Sequence, residues 1–152
     1  MDRAEVSQKL THAIEKLTER DLELLARDVN ERSITHRLAI YLQEEFPEMD
    51  VDCEYNRYDY KSKWIDFYPP TTDTHDIEAR TVFPDIIVHK GGPKGPNVLV
   101  IEAKKSTNKD GGLDIAKLKA YKSNEHLKYE HAVFLVFRTG NEEPGVESPK
   151  FI

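Results

Sequence analysis

Residues 81–106, TVFPDIIVHKGGPKGPNVLVIEAKKS, decide the fold of this chain. They hold two runs rich in Val and Ile, 82–89 and 97–104, joined by KGGPKGP, a connection dense in turn formers. Such runs favour strands and such a connection breaks them, so the segment predicts two neighbouring antiparallel strands. Three charged residues, Asp85, Glu102 and Lys104, sit inside these runs, where a core strand has no structural use for them. Strand side chains alternate faces, so Asp85 shares a face with Ile87 and His89, and Glu102 shares one with Lys104. If the hairpin brings those faces together, two carboxylates converge with a lysine beside them. Paired carboxylates repel, and neither tolerates burial alone. Mg2+ or Mn2+ resolves that conflict, because hard divalent cations take oxygen ligands and keep waters for a substrate phosphate. The bland alternative is a solvated, salt-bridged strand end.

Working back from the hairpin, residues 50–57 alternate, with Val51, Cys53 and Tyr55 on one face, as an edge strand does. Pro47 closes a helix predicted over 30–45, whose buried stripe is Ile34, Leu38, Tyr41 and Leu42. Glu31 heads that stripe. It fits a capping box with Asp28 as N-cap, and the alternative is a carboxylate aimed at a site beneath the helix. Residues 3–17 are amphipathic, and together with the following stripe they form two short helices or one bent one that covers the sheet. Residues 58–80 show no sustained period and read as a long loop. Its aromatics, Tyr58, Tyr60, Trp64, Phe67 and Tyr68, either pack the loop onto the body or, beside Lys61 and Lys63, stack bases.

Forward of the hairpin, a helix is predicted over 113–127, with Ile115, Leu118 and Tyr121 on its apolar face. Residues 132–138, AVFLVFR, are a continuous buried strand, parallel to 97–104 because a helix connects the two. The fold expected is therefore α/β: a central mixed four-stranded sheet flanked by helices, an αβββαβ core with an extra N-terminal helical segment. One domain of 152 residues is expected, divided into a helical extension (1–28), a core (30–138) and a tail (139–152).

Composition narrows the class. The chain has one cysteine, which excludes an internal disulfide and a cysteine-based zinc cluster, and a reducing cytoplasm is the default location. No apolar run approaches the length of a membrane span, so no membrane partner is expected. The net charge of −6 argues against indiscriminate binding to nucleic acid, but residues 88–128 carry nine lysines against four acids. That concentration is what phosphate contact needs, although a solvated lysine-rich helix looks similar. The six histidines show no paired ligand spacing, and there is no phosphate loop, dinucleotide fingerprint or nucleophile elbow.

Pro84-Asp85, followed by Glu102-Ala103-Lys104 at the end of the next strand, resembles the signature of the PD-(D/E)XK nuclease superfamily, the restriction-endonuclease-like fold. The predicted order of elements over about 30–138 is similar to that superfamily's common core. The resemblance implies a metal-dependent nuclease (a phosphodiester hydrolase, endonuclease-like) in which Asp85 and Glu102 bind Mg2+ or Mn2+ and Lys104 assists the water nucleophile. It further implies that the Ala103 carbonyl is a ligand and that Glu31 completes the site. Lys117 and Tyr121, one helical turn apart, resemble the Gln-x-x-x-Tyr pair of the RecB-like branch, with lysine in place of glutamine. Lys105, Lys117, Tyr121 and Lys94 are the expected substrate contacts. Nucleic acid is the expected partner, DNA favoured over RNA, with a homodimer or larger complex supplying specificity. The alternative is a catalytically inactive module of the same fold that binds nucleic acid or protein.

Overall fold

A computed structural model describes residues 1–55, 57–58, 61–62, 64–67, 78–81, 83–92, 95–108, 111–140 and 142–152, with backbone alone for the four segments between 57 and 81. The chain is α/β, built on a mixed sheet with helices on both faces. Three helices come first: α1 (Arg3–Arg20), α2 (Leu22–Ala26) and α3 (Glu31–Glu45). Asp2 caps α1 by accepting from the Glu5 N–H at 2.9 Å, and Val6, Leu10, Ala13 and Leu17 form its buried stripe. The turn at Asp21 separates α1 from α2, and the Tyr41 hydroxyl of α3 donates to its carboxylate. The stripe predicted for α3 is buried as expected.

Its cap is not the expected one. Asn30 is the N-cap, accepting from the Ser33 N–H at 2.9 Å, and Glu31 is the first helical residue rather than the third. Asp28 sits at φ 52° in the turn before it. The capping-box reading of Asp28 and Glu31 is therefore replaced: a side chain on a left-handed residue two positions upstream cannot reach the first-turn amides that Asn30 serves.

The sheet runs β1 (Asp50–Cys53), β6 (Ile86–His89), β7 (Asn97–Lys105) and β8 (His131–Arg138), with two short strands, β9 (Gly145–Val146) and β10 (Lys150–Phe151), both pairing with β8. β1 is the edge strand, antiparallel to β6, and β6 is antiparallel to β7. β7 and β8 are parallel, joined by α4 (Gly112–Ser123). The hairpin and the parallel crossover thus follow the pattern read from the apolar runs. Residues 139–152, read as a tail, carry β9 and β10, which are antiparallel to β8 and extend the four expected strands to six. Helix α4 stops earlier than its periodicity predicts: at Asn124 the backbone turns extended, and the Asn124 side chain takes the N–H groups of His126 and Leu127.

Between β1 and β6 lie two further antiparallel pairs, β2 (Arg57–Tyr58) with β3 (Lys61–Ser62) and β4 (Trp64–Phe67) with β5 (Glu78–Thr81). The described residues of segment 58–80, read as a loop, thus pair as short strands, and β4 lies alongside α4. The side chains of Tyr58, Trp64 and Phe67, and residues Tyr60, Lys63 and Tyr68 altogether, lie outside the described residues, so the base-stacking reading of this segment does too.

Alternation along β6 and β7 divides the core in two. Ile86, Val88, Leu99, Ile101 and Ala103 face α1 and α3, while Ile87 and Val100 face α4 with Leu118 and Tyr121. Glu102 and Lys104 belong to the α4 face by the same alternation.

Candidate active site

β6 begins later than the apolar run, at Ile86, and the reason lies at Asp85. Ile86 pairs with Ile101, which puts Asp85 beside Glu102 at the end of the ladder. The Asp85 backbone carbonyl accepts from Glu54 N–H on the β1 side, at 3.3 Å. Its Oδ2 accepts from the Ala103 N–H at 2.8 Å on the β7 side. A side chain therefore replaces the backbone acceptor where the two strands diverge, and Pro84, with no N–H, cannot prolong the ladder.

Glu102 is 1% exposed. Its Oε1 accepts from the Tyr121 hydroxyl at 3.0 Å, and its Oε2 lies 3.7 Å from Lys117 Nζ. Lys117 is also 3.9 Å from Asp114 Oδ1, and Lys104 Nζ is 3.2 Å from Asp114 Oδ2. That last pair is an ion pair without hydrogen-bond alignment, so the buried Oδ2 has no hydrogen-bond partner. Lys104, Asp114, Lys117, Glu102 and Tyr121 form one continuous chain of charges and dipoles between β7 and α4.

Burial pushes the Glu102 carboxyl well above the ordinary glutamate range, and the charge of Asp85 adds to it; Lys117 and the Tyr121 hydroxyl pull the other way. Burial likewise raises Asp85, against the pull of the Ala103 N–H and of Lys117. Glu31 is raised by burial and then by the charge of Asp85, with Lys105 N–H and Lys104 opposing. Tyr121 is raised too, by burial and by Glu102, so it stays a proton donor to the carboxylate.

The expected residues divide as follows. Asp85, Glu102, Lys104 and Lys117 come together, and Glu31, at the start of α3, lies within their field. Ala103 is buried in the sheet and serves Asp85 through its N–H. Tyr121 is fully buried and engages Glu102 rather than open solvent. Lys105 points to the other face, where its Nζ meets Asp28 Oδ1 at 3.1 Å and the Val29 carbonyl at 3.4 Å. Lys94 lies outside the described residues. His89, on the face of Asp85, is occupied elsewhere: its Nε2 is 2.8 Å from Asp52 Oδ2, and its ring packs on Tyr55 at 5.0 Å.

The residue that sequence reading missed is Asp114. Asp114, Lys117 and Tyr121 recur at i, i+3 and i+7, the spacing of a single helix face. An acid on the stripe that also carries a buried tyrosine was the available signal. Near the site, Cys53 pairs with Ile86 across β1, its Sγ 4.0 Å from the Thr35 carbonyl. The residue is exposed overall, but desolvation of its sulfur beside Thr35, then the charges of Asp52 and Asp85, push its thiol up to about 11.

Four carboxylates (Glu31, Asp85, Glu102 and Asp114) face two ammonium groups (Lys104 and Lys117), a formal excess of two negative charges when all are ionised. A divalent cation matches that excess. Among the described residues no three His, Cys, Asp or Glu side chains are grouped closely enough to hold a metal by themselves.

No family model, no curated protein and no solved structure matches this chain. Among the described residues no helix is long and apolar enough to cross a membrane.

Proposed function

We propose that the chain is a Mg2+- or Mn2+-dependent nuclease that hydrolyses phosphodiester bonds, with DNA favoured over RNA, on an αβββαβ core of the PD-(D/E)XK type. One observation carries this reading. Asp85 and Glu102 are held side by side, Glu102 buried and Asp85 half-buried, each fixed by a specific donor; burial raises both, the charge of Asp85 raises Glu102 further, and a hydrogen bond from Glu102 offsets part of the rise at Asp85. A fold without a cation to bind has no use for that arrangement.

Asp85 and Glu102 would hold the metal, with the Ala103 carbonyl, and Glu31 would add a ligand or activate water. The metal, when bound, supplies a more acidic water and positive charge for the phosphate. The chain's own residues do the rest. Tyr121 and the Ala103 N–H fix the two carboxylates, and Lys104, on the face of Glu102, orients water and balances charge on the phosphate. Asp114 holds Lys104 and Lys117 in place.

The test is cleavage of labelled single-stranded DNA, duplex DNA and RNA with Mg2+, with Mn2+ and with a chelator. Wild-type protein cleaves at least one substrate with metal, and purified Asp85→Ala and Glu102→Ala cleave none while circular dichroism reports an unchanged fold. Undiminished cleavage by either variant sinks the assignment. The binding-module reading draws on a different observation, that each lysine of the site already has an acidic partner. Calorimetric titration with Mg2+ and Mn2+ separates the two, because a module that retains nucleic-acid affinity shows no heat of metal binding.

A further inference from the structure

On the α4 face, next to the carboxylate pair, lies a cavity of about 250 Å³ that none of the chemistry above uses. Its floor is Phe134 and Val136 of β8, and Lys104 forms the wall it shares with the site. The register of the parallel ladder makes that adjacency tight: Phe134 partners Glu102, and Val136 partners Lys104. Gly111, at the start of α4, closes one side; a Cβ there would come within 2.7 Å of the tip of the Phe134 ring, so a larger residue would push the ring aside. The rim is polar and exposed, formed by Asn108 and Glu147.

We propose that this cavity is a base-recognition subsite, taking an unpaired guanine next to the scissile phosphate. The inference rests on the nucleic-acid reading above and names the substrate feature that this reading leaves open. The volume falls just short of the range of about 300–1,000 Å³ typical of whole small-molecule sites, which suits one base rather than a nucleotide. A half-buried aromatic floor gives any base a stacking surface. The rim then selects. A carboxylate only accepts hydrogen bonds. Guanine offers it two adjacent donors, N1–H and the N2 amino group. Adenine and cytosine offer one amino group beside an acceptor, and thymine or uracil sets a single N–H between two carbonyls that repel the carboxylate. The guanine edge that Glu147 reads is the edge used in base pairing, so the base must be single-stranded or unstacked from a duplex. Lys104 then faces the phosphate attached to the bound nucleoside.

The experiment uses the full chain and a short fluorescein-labelled single-stranded oligonucleotide with one central guanine, compared with versions carrying inosine, which lacks the N2 amino group, or thymine. Fluorescence anisotropy without divalent metal is expected to show the guanine oligonucleotide bound about tenfold tighter or more. Glu147→Gln, an exposed substitution that leaves folding untouched, is expected to erase the difference. A guanine preference erased by Glu147→Gln, with no cleavage under any metal, supports the subsite and overturns the catalytic reading. Equal binding of the three oligonucleotides by a wild type that cleaves with Mg2+ overturns the subsite and leaves the catalytic reading standing. A preference that survives Glu147→Gln, or no binding to any of the three, also overturns the subsite.

Discussion

Glu102 has 1% of its surface in water, and its carboxyl is pushed well above the ordinary range. The folded state therefore holds its proton more tightly than the unfolded chain does. The stability this residue contributes is full below its unfolded pKa, about 4.3, and is lost as pH rises through the raised folded value. Glu102→Gln removes the buried charge while keeping an acceptor for Tyr121. The variant is expected to be more stable than wild type near pH 8 by about 1–3 kcal/mol, the size of a buried polar group's desolvation penalty, and the gap closes as pH falls toward 4. Urea melts of both proteins across that range check it, and cleavage is lost at every pH. Asp114 is the second residue to test. Asp114→Asn leaves Lys104 and Lys117 without the carboxylate they share, so kcat is expected to fall by about 10–100-fold with KM little changed. Steady-state kinetics on whichever nucleic acid proves to be cleaved reads the split.

At the scale of elements, β8 depends on its two short partners. β9 and β10 cover part of its outer edge, Glu147 N–H donating to the Val136 carbonyl and Ile152 N–H to the Ala132 carbonyl, each at 2.9 Å. Deleting residues 142–152 bares the backbone of a strand rich in Val and Phe, and an uncovered edge pairs with other chains. The truncated protein is expected to elute as dimers or aggregates in size-exclusion chromatography with light scattering, where the full chain keeps this edge covered. These same elements mark how far the sequence could be read. Strands β6, β7 and β8 and their relative directions were legible because each apolar run is long enough to carry a signal, and the charges stood out against it. Strands of two residues have no period, so β9 and β10 could not be seen, and neither could β2 and β3. The α3 cap was misplaced because Asp28 and Asn30 are both competent caps and only the left-handed turn at Asp28 decides between them. Asp114 is a different case: its place on the stripe of Tyr121 was visible, but nothing in the helix reveals that its partner Lys104 lies on a strand.

For the whole molecule, the basic block is turned partly inward. Lys104 and Lys117 balance the buried acids, and Lys105 is tied to Asp28, so the lysines facing solvent are fewer than the sequence implies. On the proposed reading, a divalent cation rather than lysine would complete the charge balance. Saturating Mg2+ at about 100 times its Kd is expected to stabilise the fold by about 2.7 kcal/mol, seen as a rise in Tm that Asp85→Ala abolishes. Because the raised carboxyls of Asp85 and Glu102 must lose their protons to bind a cation, the rise shrinks as pH is lowered.

The one thiol of the chain gives the site a chemical reporter. Cys53 feels the charge of Asp85, which helps hold its thiol near 11 and keeps it almost wholly un-ionised at pH 8. Iodoacetamide should therefore alkylate it far more slowly than a free cysteine. A cation seated on Asp85 cancels part of that field and shifts ionisation toward the thiolate, so alkylation should quicken with added Mg2+ and with Asp85→Asn. Mass spectrometry of the modified chain would then read occupancy of the metal position with no nucleic acid present; a rate that quickens with Asp85→Asn but not with Mg2+ would mean that no ion gathers beside Asp85.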